Sequence, residues 1–89
     1  MNAIEETPAS GRLANADALW VELHPRLRRF CAVVVGPADA DDLASEAFLR
    51  CVDRLVTGDV ENPLSYLFRT AVRTAQNQRR ARERDRRRA

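Results

Sequence analysis

The sequence predicts an all-α fold, a compact bundle of three main helices. Apolar residues recur at three- and four-residue steps in three separate segments. No segment alternates with the period of two that a strand needs. Gly36-Pro37 and Asn62-Pro63 punctuate the chain between the periodic segments. Internal repeats are absent.

The first helix is expected over residues 16–35, where Leu19, Leu23, Leu27, Phe30, Cys31 and Val34 keep helical spacing. Pro25 lies inside it and should kink or restart it, because proline removes one helical N–H and crowds the preceding turn. Gly36-Pro37 stops it. The second helix is expected over 39–56, with Asp39, Asp41 and Asp42 at the positive helix start and Gly58 ready for a left-handed cap. At about 100° per residue, Leu43, Ala44, Ala47, Phe48, Cys51, Val52 and Leu55 share one face. Asp42, Ser45, Glu46, Leu49 and Asp53 lie opposite. The third helix is expected over 63–80, with Asn62 as N-cap and Pro63 in the first turn. Its core face is Leu64, Leu67, Phe68, Ala71, Val72 and Ala75, and its outward face is Tyr66, Arg69, Thr70, Arg73, Asn77 and Arg80. Residues 1–12 lack periodicity and read as a flexible lead-in, and residues 81–89 as a basic tail.

The 89 residues fit one small domain, and 45% apolar content is ordinary for a globular chain. No stretch approaches the roughly 18 apolar residues of a membrane span, and no charged start precedes an apolar run. The chain therefore reads as cytoplasmic. Cys31 and Cys51 match neither a disulfide framework nor a zinc spacing and read as buried, reduced hydrophobes. His24, the one histidine, has no co-ligands, so no metal or other cofactor is expected. Enzymatic chemistry also lacks its parts: there is no glycine-rich phosphate loop, no nucleophile–base set and no metal-ligand cluster, and the adjacent Asp41 and Asp42 point in different directions on a helix rather than forming an acid–base pair.

The net charge of +2 conceals a segregation. Residues 1–38 balance four arginines against four acids. Residues 39–61 set Arg50 and Arg54 against seven acids, and residues 63–89 set nine arginines against Glu83 and Asp85. An acidic element followed by a basic one implies two different partners. All fifteen basic residues are arginine, a bias that points to a GC-rich bacterial genome.

Arginines on the outward face of the third helix can neutralise phosphates, and that term usually supplies most nucleic-acid affinity. Tyr66 offers a flat surface for an exposed base, worth about 1–3 kcal/mol, while Thr70 and Asn77 can hydrogen-bond base edges. A plainly solvated basic face is the alternative. The acidic outward face of the second helix would repel DNA, and Leu49 among its acids is how a protein-binding face looks, although a solvated acidic face is the default.

These residues carry a resemblance. Asp39-Ala40-Asp41-Asp42-Leu43-Ala44-Ser45-Glu46-Ala47-Phe48-Leu49-Arg50 resembles the Asp-Ala-Glu-Asp-Leu-Val-Gln-Glu-x-Phe-Leu segment of extracytoplasmic-function (ECF) sigma factors. Asn62-Pro63-Leu64-Ser65-Tyr66-Leu67-Phe68-Arg69-Thr70-Ala71 resembles their Pro-x-x-Trp-Leu-x-x-Ile-Ala segment. Leu19-Trp20 through Pro25-Arg26-Leu27-Arg28-Arg29-Phe30 is similar to their first conserved helix. The three segments keep the family's order and spacing from about Asp17 to Arg80.

The resemblance implies sigma region 2, spanning residues 13–80, a non-enzymatic domain of transcription initiation. It implies that the second helix docks on the β′ clamp helices of core RNA polymerase through Asp42, Ser45, Glu46, Leu49 and Asp53. It also implies capture of the melted non-template strand of the promoter −10 element by residues 57–62 and by Asn62, Tyr66, Arg69, Thr70, Arg73, Asn77 and Arg80. An anti-sigma factor is a further partner in the family; a membrane or a small-molecule substrate is not. Three positions depart from the pattern: Ser45 replaces a Gln, Tyr66 a Trp, and Arg73 an Asn that bears on base preference. The family's −35-binding domain is not supplied by these residues, so residues 81–89 are expected to be an interdomain linker. Two other readings stay open: a sigma-like helical adaptor that binds protein but does not read DNA, and a helix-turn-helix duplex binder. The connection over 57–62 is long for the latter.

Overall fold

A computed structural model of the chain describes residues 8–58 and 60–88. Three helices follow in order: α1 (Pro8–Val35), α2 (Pro37–Thr57) and α3 (Pro63–Arg88). The described residues contain no strand, and the three-helix all-α expectation holds.

One residue separates α1 from α2. Gly36 donates its N–H to the Ala32 carbonyl at 2.8 Å and adopts φ 93°, ψ 158°, a region open essentially to glycine. Pro37 then starts α2 with φ already helical. At the other end Gly58 takes the left-handed cap, φ 75°, and its N–H reaches the Arg54 and Leu55 carbonyls. The Thr57 hydroxyl also donates to the Arg54 carbonyl, at 2.9 Å. The expected N-cap of α3 is present: the Ser65 N–H donates to Asn62 Oδ1 at 3.1 Å.

The helices run further than apolar spacing predicts. α1 begins at Pro8 rather than near residue 16, so residues 8–12 of the expected lead-in are helical; residues 1–7 lie outside the described residues. Proline is at home in a first turn, and the alanine-rich stretch after it favours helix. α2 starts at Pro37, two residues early, for the same reason. α3 continues past residue 80 to Arg88, so the basic tail is helical where described. Its apolar stripe has ended, but Arg, Ala and Glu are good helix formers. Arg86, Arg87 and Arg88 complement the negative helix end, and Arg87 sits 3.9 Å from Glu83 one turn earlier. Pro25 does not interrupt α1. Pro25 and Val21 are both exposed, so the Val21 carbonyl deprived of an N–H partner lies on the solvent side.

The core lies where the three apolar faces meet. Leu23, Leu27 and Cys31 of α1, seven residues of α2 from Ala40 to Leu55, and Leu67, Ala71 and Ala75 of α3 are buried. Ala44, Ala47 and Ala71 are fully buried and let the helices approach closely, while Leu27 and Leu67 fill the space between them. Truncating either leucine to alanine removes about 2–5 kcal/mol. Thr74, which apolar spacing leaves unassigned, is also in the core at 2% exposure.

Polar contacts fix how α2 sits on its neighbours. Asp41 accepts from Arg28 Nε at 2.7 Å and lies 3.6 Å from His24 Nε2. His24 in turn packs on Trp20, with ring centroids 4.3 Å apart, and Trp20 meets Phe48 edge-on at 5.0 Å. This cluster joins α1 to the start and middle of α2.

Candidate nucleic-acid interface and partner face

The N-terminal half of α3 carries the basic face. Asn62 spends its side-chain oxygen on the cap, and the Tyr66 N–H donates to the Asn62 carbonyl at 3.1 Å. Asn62 thus shapes the start of the helix. From there Tyr66, Arg69, Thr70 and Arg73 follow at three- and four-residue steps and line one hollow of about 230 Å³. Asn77 and Arg80 stand exposed on the same side of α3, further along the axis and outside that hollow. Four of the seven expected contact residues are therefore brought together, and three are not.

Neighbouring α2 holds two members of this hollow in place. The Cys51 thiol donates to the Thr70 hydroxyl at 3.2 Å. The Arg54 guanidinium lies over the Tyr66 ring, 5.7 Å from its centroid, a cation–π arrangement that restrains the half-buried tyrosine. Arg54 is absent from the sequence-derived set. Periodicity within α3 cannot find a residue contributed by another helix. Residue 59, within the expected strand-contacting connection, lies outside the described residues.

Arg69 and Arg73 are exposed, and neither guanidinium has a hydrogen bond or ion pair to any other described residue. Arg28 and Arg50, by contrast, are paired with Asp41 and Glu46. Two cations one turn apart beside a tyrosine and a hydroxyl bring together the groups that contact with phosphates and a flat base requires.

The thiols are inert. Cys31 and Cys51 are free and buried. Burial pushes Cys31 up to about 11 and pushes Cys51 up too, against the opposing pull of its bond to Thr70. Both stay protonated near neutral pH. Among the described residues no three His, Cys, Asp or Glu side chains group as a metal site, and no helix is long and apolar enough to cross a membrane.

The outward face of α2 divides in two. Ser45 and Leu49 join Ala16, Asp17, Trp20, Phe48 and Val52 around a mostly apolar hollow of about 470 Å³ between α1 and α2. Leu49 is 71% exposed at its rim. Asp42 and Glu46 instead border a cleft of about 610 Å³ facing Gln78, Arg79 and Arg82 of α3. Glu46 is already engaged there, accepting from Gln78 at 2.8 Å and from Arg50 at 3.0 Å. Asp53 is exposed and borders neither. The five residues expected on one docking face thus have different surroundings.

Fold and faces together define a class: a helical module without catalytic machinery among its described residues, one side suited to nucleic acid and another to protein. The chain belongs to the sigma-70 region 2 family, whose model matches residues 19–85. No curated protein and no solved structure gives a significant match. As a sigma-70 region 2 domain, it binds core RNA polymerase and recognises the −10 promoter element in transcription initiation, with no enzymatic activity of its own.

Proposed function

We propose that the chain is region 2 of an ECF-type sigma factor, acting in the bacterial cytoplasm, and that it captures the melted non-template strand of the −10 element on α3. The observation that carries this reading is the hollow of Tyr66, Arg69, Thr70 and Arg73, with two arginines whose guanidinium groups pair with no other described residue. The arginines take phosphates, the tyrosine takes the face of an unstacked base, and Thr70 meets a base edge. Base capture of this kind draws the duplex open because it favours bases already out of the stack. Asn62 positions the helix start, and Asn77 and Arg80 extend the contact along the strand.

Docking on the β′ clamp helices is proposed for the exposed face of α2. Leu49 and Ser45, at the apolar hollow beside Trp20, supply its centre, with Asp42 and Asp53 at the rim and Glu46 held by Gln78 and Arg50. An anti-sigma factor that covered the same hollow would block this docking. Residues 81–88 form a basic helical arm continuous with the domain.

The test is binding of the holoenzyme formed with this chain to single-stranded oligonucleotides with and without a −10 sequence, at low salt. Preference for the −10 strand, lost on Tyr66→Ala or Arg73→Ala, is the expected result. Equal binding of scrambled strands, unaffected by both substitutions, would rule out a reading surface on α3.

A further inference from the structure

A second hollow lies on the other side of the same arginines. It measures about 330 Å³ and is lined by Phe30 of α1 with Phe68, Arg69, Val72, Arg73 and Gln76 of α3. Arg69 and Arg73 border both hollows, so they form a ridge with an aromatic residue in the depression on each side. Phe30 and Phe68 are stacked, centroids 4.3 Å apart and planes 12° from parallel. Both rings are only half-buried, although a stacked phenylalanine pair is ordinarily core material. Gln76 is exposed, and its side-chain amide has no hydrogen bond to any other described residue.

We propose that this hollow is a second subsite for an unpaired nucleobase of the strand held on α3. The inference rests on the single-strand reading above and extends it. Four features favour such an occupant. The Phe30–Phe68 pair offers an aromatic wall for a flat ring. Val72 supplies an apolar floor. The Gln76 amide carries a donor and an acceptor for a base edge. The arginine ridge, with no ion-pair partner among the described residues, neutralises the phosphates that link this base to its neighbour in the Tyr66 hollow, with the two guanidinium-bearing residues one turn, about 6 Å, apart along the helix. A peptide would satisfy the apolar floor but would leave two cations unpaired at its edge.

The experiment is a single-position abasic scan of a non-template −10 oligonucleotide, bound by holoenzyme containing the 89-residue chain. Two positions are expected to lose about tenfold in affinity when their base is removed. Tyr66→Ala should abolish the loss at one of them. Gln76→Ala, on the exposed surface, and Val72→Trp, which fills the hollow, should abolish it at the other. Circular dichroism melting verifies that each variant is folded, and Gln76→Ala alone decides the matter if Val72→Trp is not. A single sensitive position that answers only to Tyr66→Ala overturns the second subsite and leaves strand capture standing. No sensitive position at all overturns both.

Discussion

The Cys51 thiol donates to the Thr70 hydroxyl across the α2–α3 interface at 3.2 Å. A hydroxyl that accepts from inside the bundle keeps its own proton to donate outward, and Thr70 lines the hollow beside Tyr66, Arg69 and Arg73. A core cysteine therefore orients a surface donor.

Replacing Thr70 tests both ends of that contact. Thr70→Val should lower folding stability by about 1 kcal/mol in urea melts and weaken binding of the −10 strand, whereas Thr70→Ser should preserve both. Strand binding equal to the parent in the valine variant would show that the hydroxyl has no outward role.

The buried thiols make stability pH-dependent on the alkaline side. The folded state holds the Cys31 proton up to about 11, above the value of an exposed thiol. The associated stability is thus fully present below the unfolded thiol's pKa and is lost as pH rises through about 11. The unfolding free energy from denaturant titrations between pH 8 and pH 11 should fall, by roughly 2 kcal/mol for this group. The fall should be shallower in Cys31→Ala.

Gly36 should resist substitution for a backbone reason alone. A Cβ there meets nothing within 4 Å, yet φ is +93°. Gly36→Ala is expected to cost about 1–3 kcal/mol in thermal or urea unfolding. A loss below a few tenths would mean that the α1–α2 turn relaxes to another conformation.

Leu49 gives the cleaner test of the polymerase-facing side. It is 71% exposed and belongs to no buried cluster, so Leu49→Arg should leave the melting temperature nearly unchanged. It should also reduce co-purification with a β′ clamp-helix fragment at least tenfold. Glu46→Arg is harder to read, because it also breaks the contacts to Gln78 and Arg50. Undiminished capture by the Leu49→Arg chain would move the docking face elsewhere.

Thr74 is 2% exposed, and its hydroxyl has no hydrogen bond to another described residue. Thr74→Val removes a hydroxyl that is desolvated without a partner, and should stabilise the chain by about 1 kcal/mol in the same unfolding experiments.

Much of this molecule is legible in its sequence. Three apolar stripes at helical spacing identify α1, α2 and α3. Gly36, Gly58 and Asn62 mark the turns between them because capping chemistry is local. Core faces such as Leu43, Ala47 and Cys51 follow from the same 100° step, as does the exposure of Leu49, Arg69 and Arg73. Helix ends were less legible, because residues 8–15 and 81–88 are helical through backbone propensity and charge rather than through an apolar stripe.

Only the tertiary structure decided which faces act together. Arg54 over Tyr66 and Cys51 on Thr70 join residues from different helices, and no spacing within one helix can report such pairs. The same holds for Glu46, whose exposed-looking register conceals a bond to Gln78 of α3. It holds most for the arginines of α3: periodicity placed Arg69 and Arg73 outward, and packing against α1 put Phe30 into the wall of the hollow on one side of them. Local interactions set a helix and its faces; the depth and company of a surface residue are set by the neighbour packed beside it.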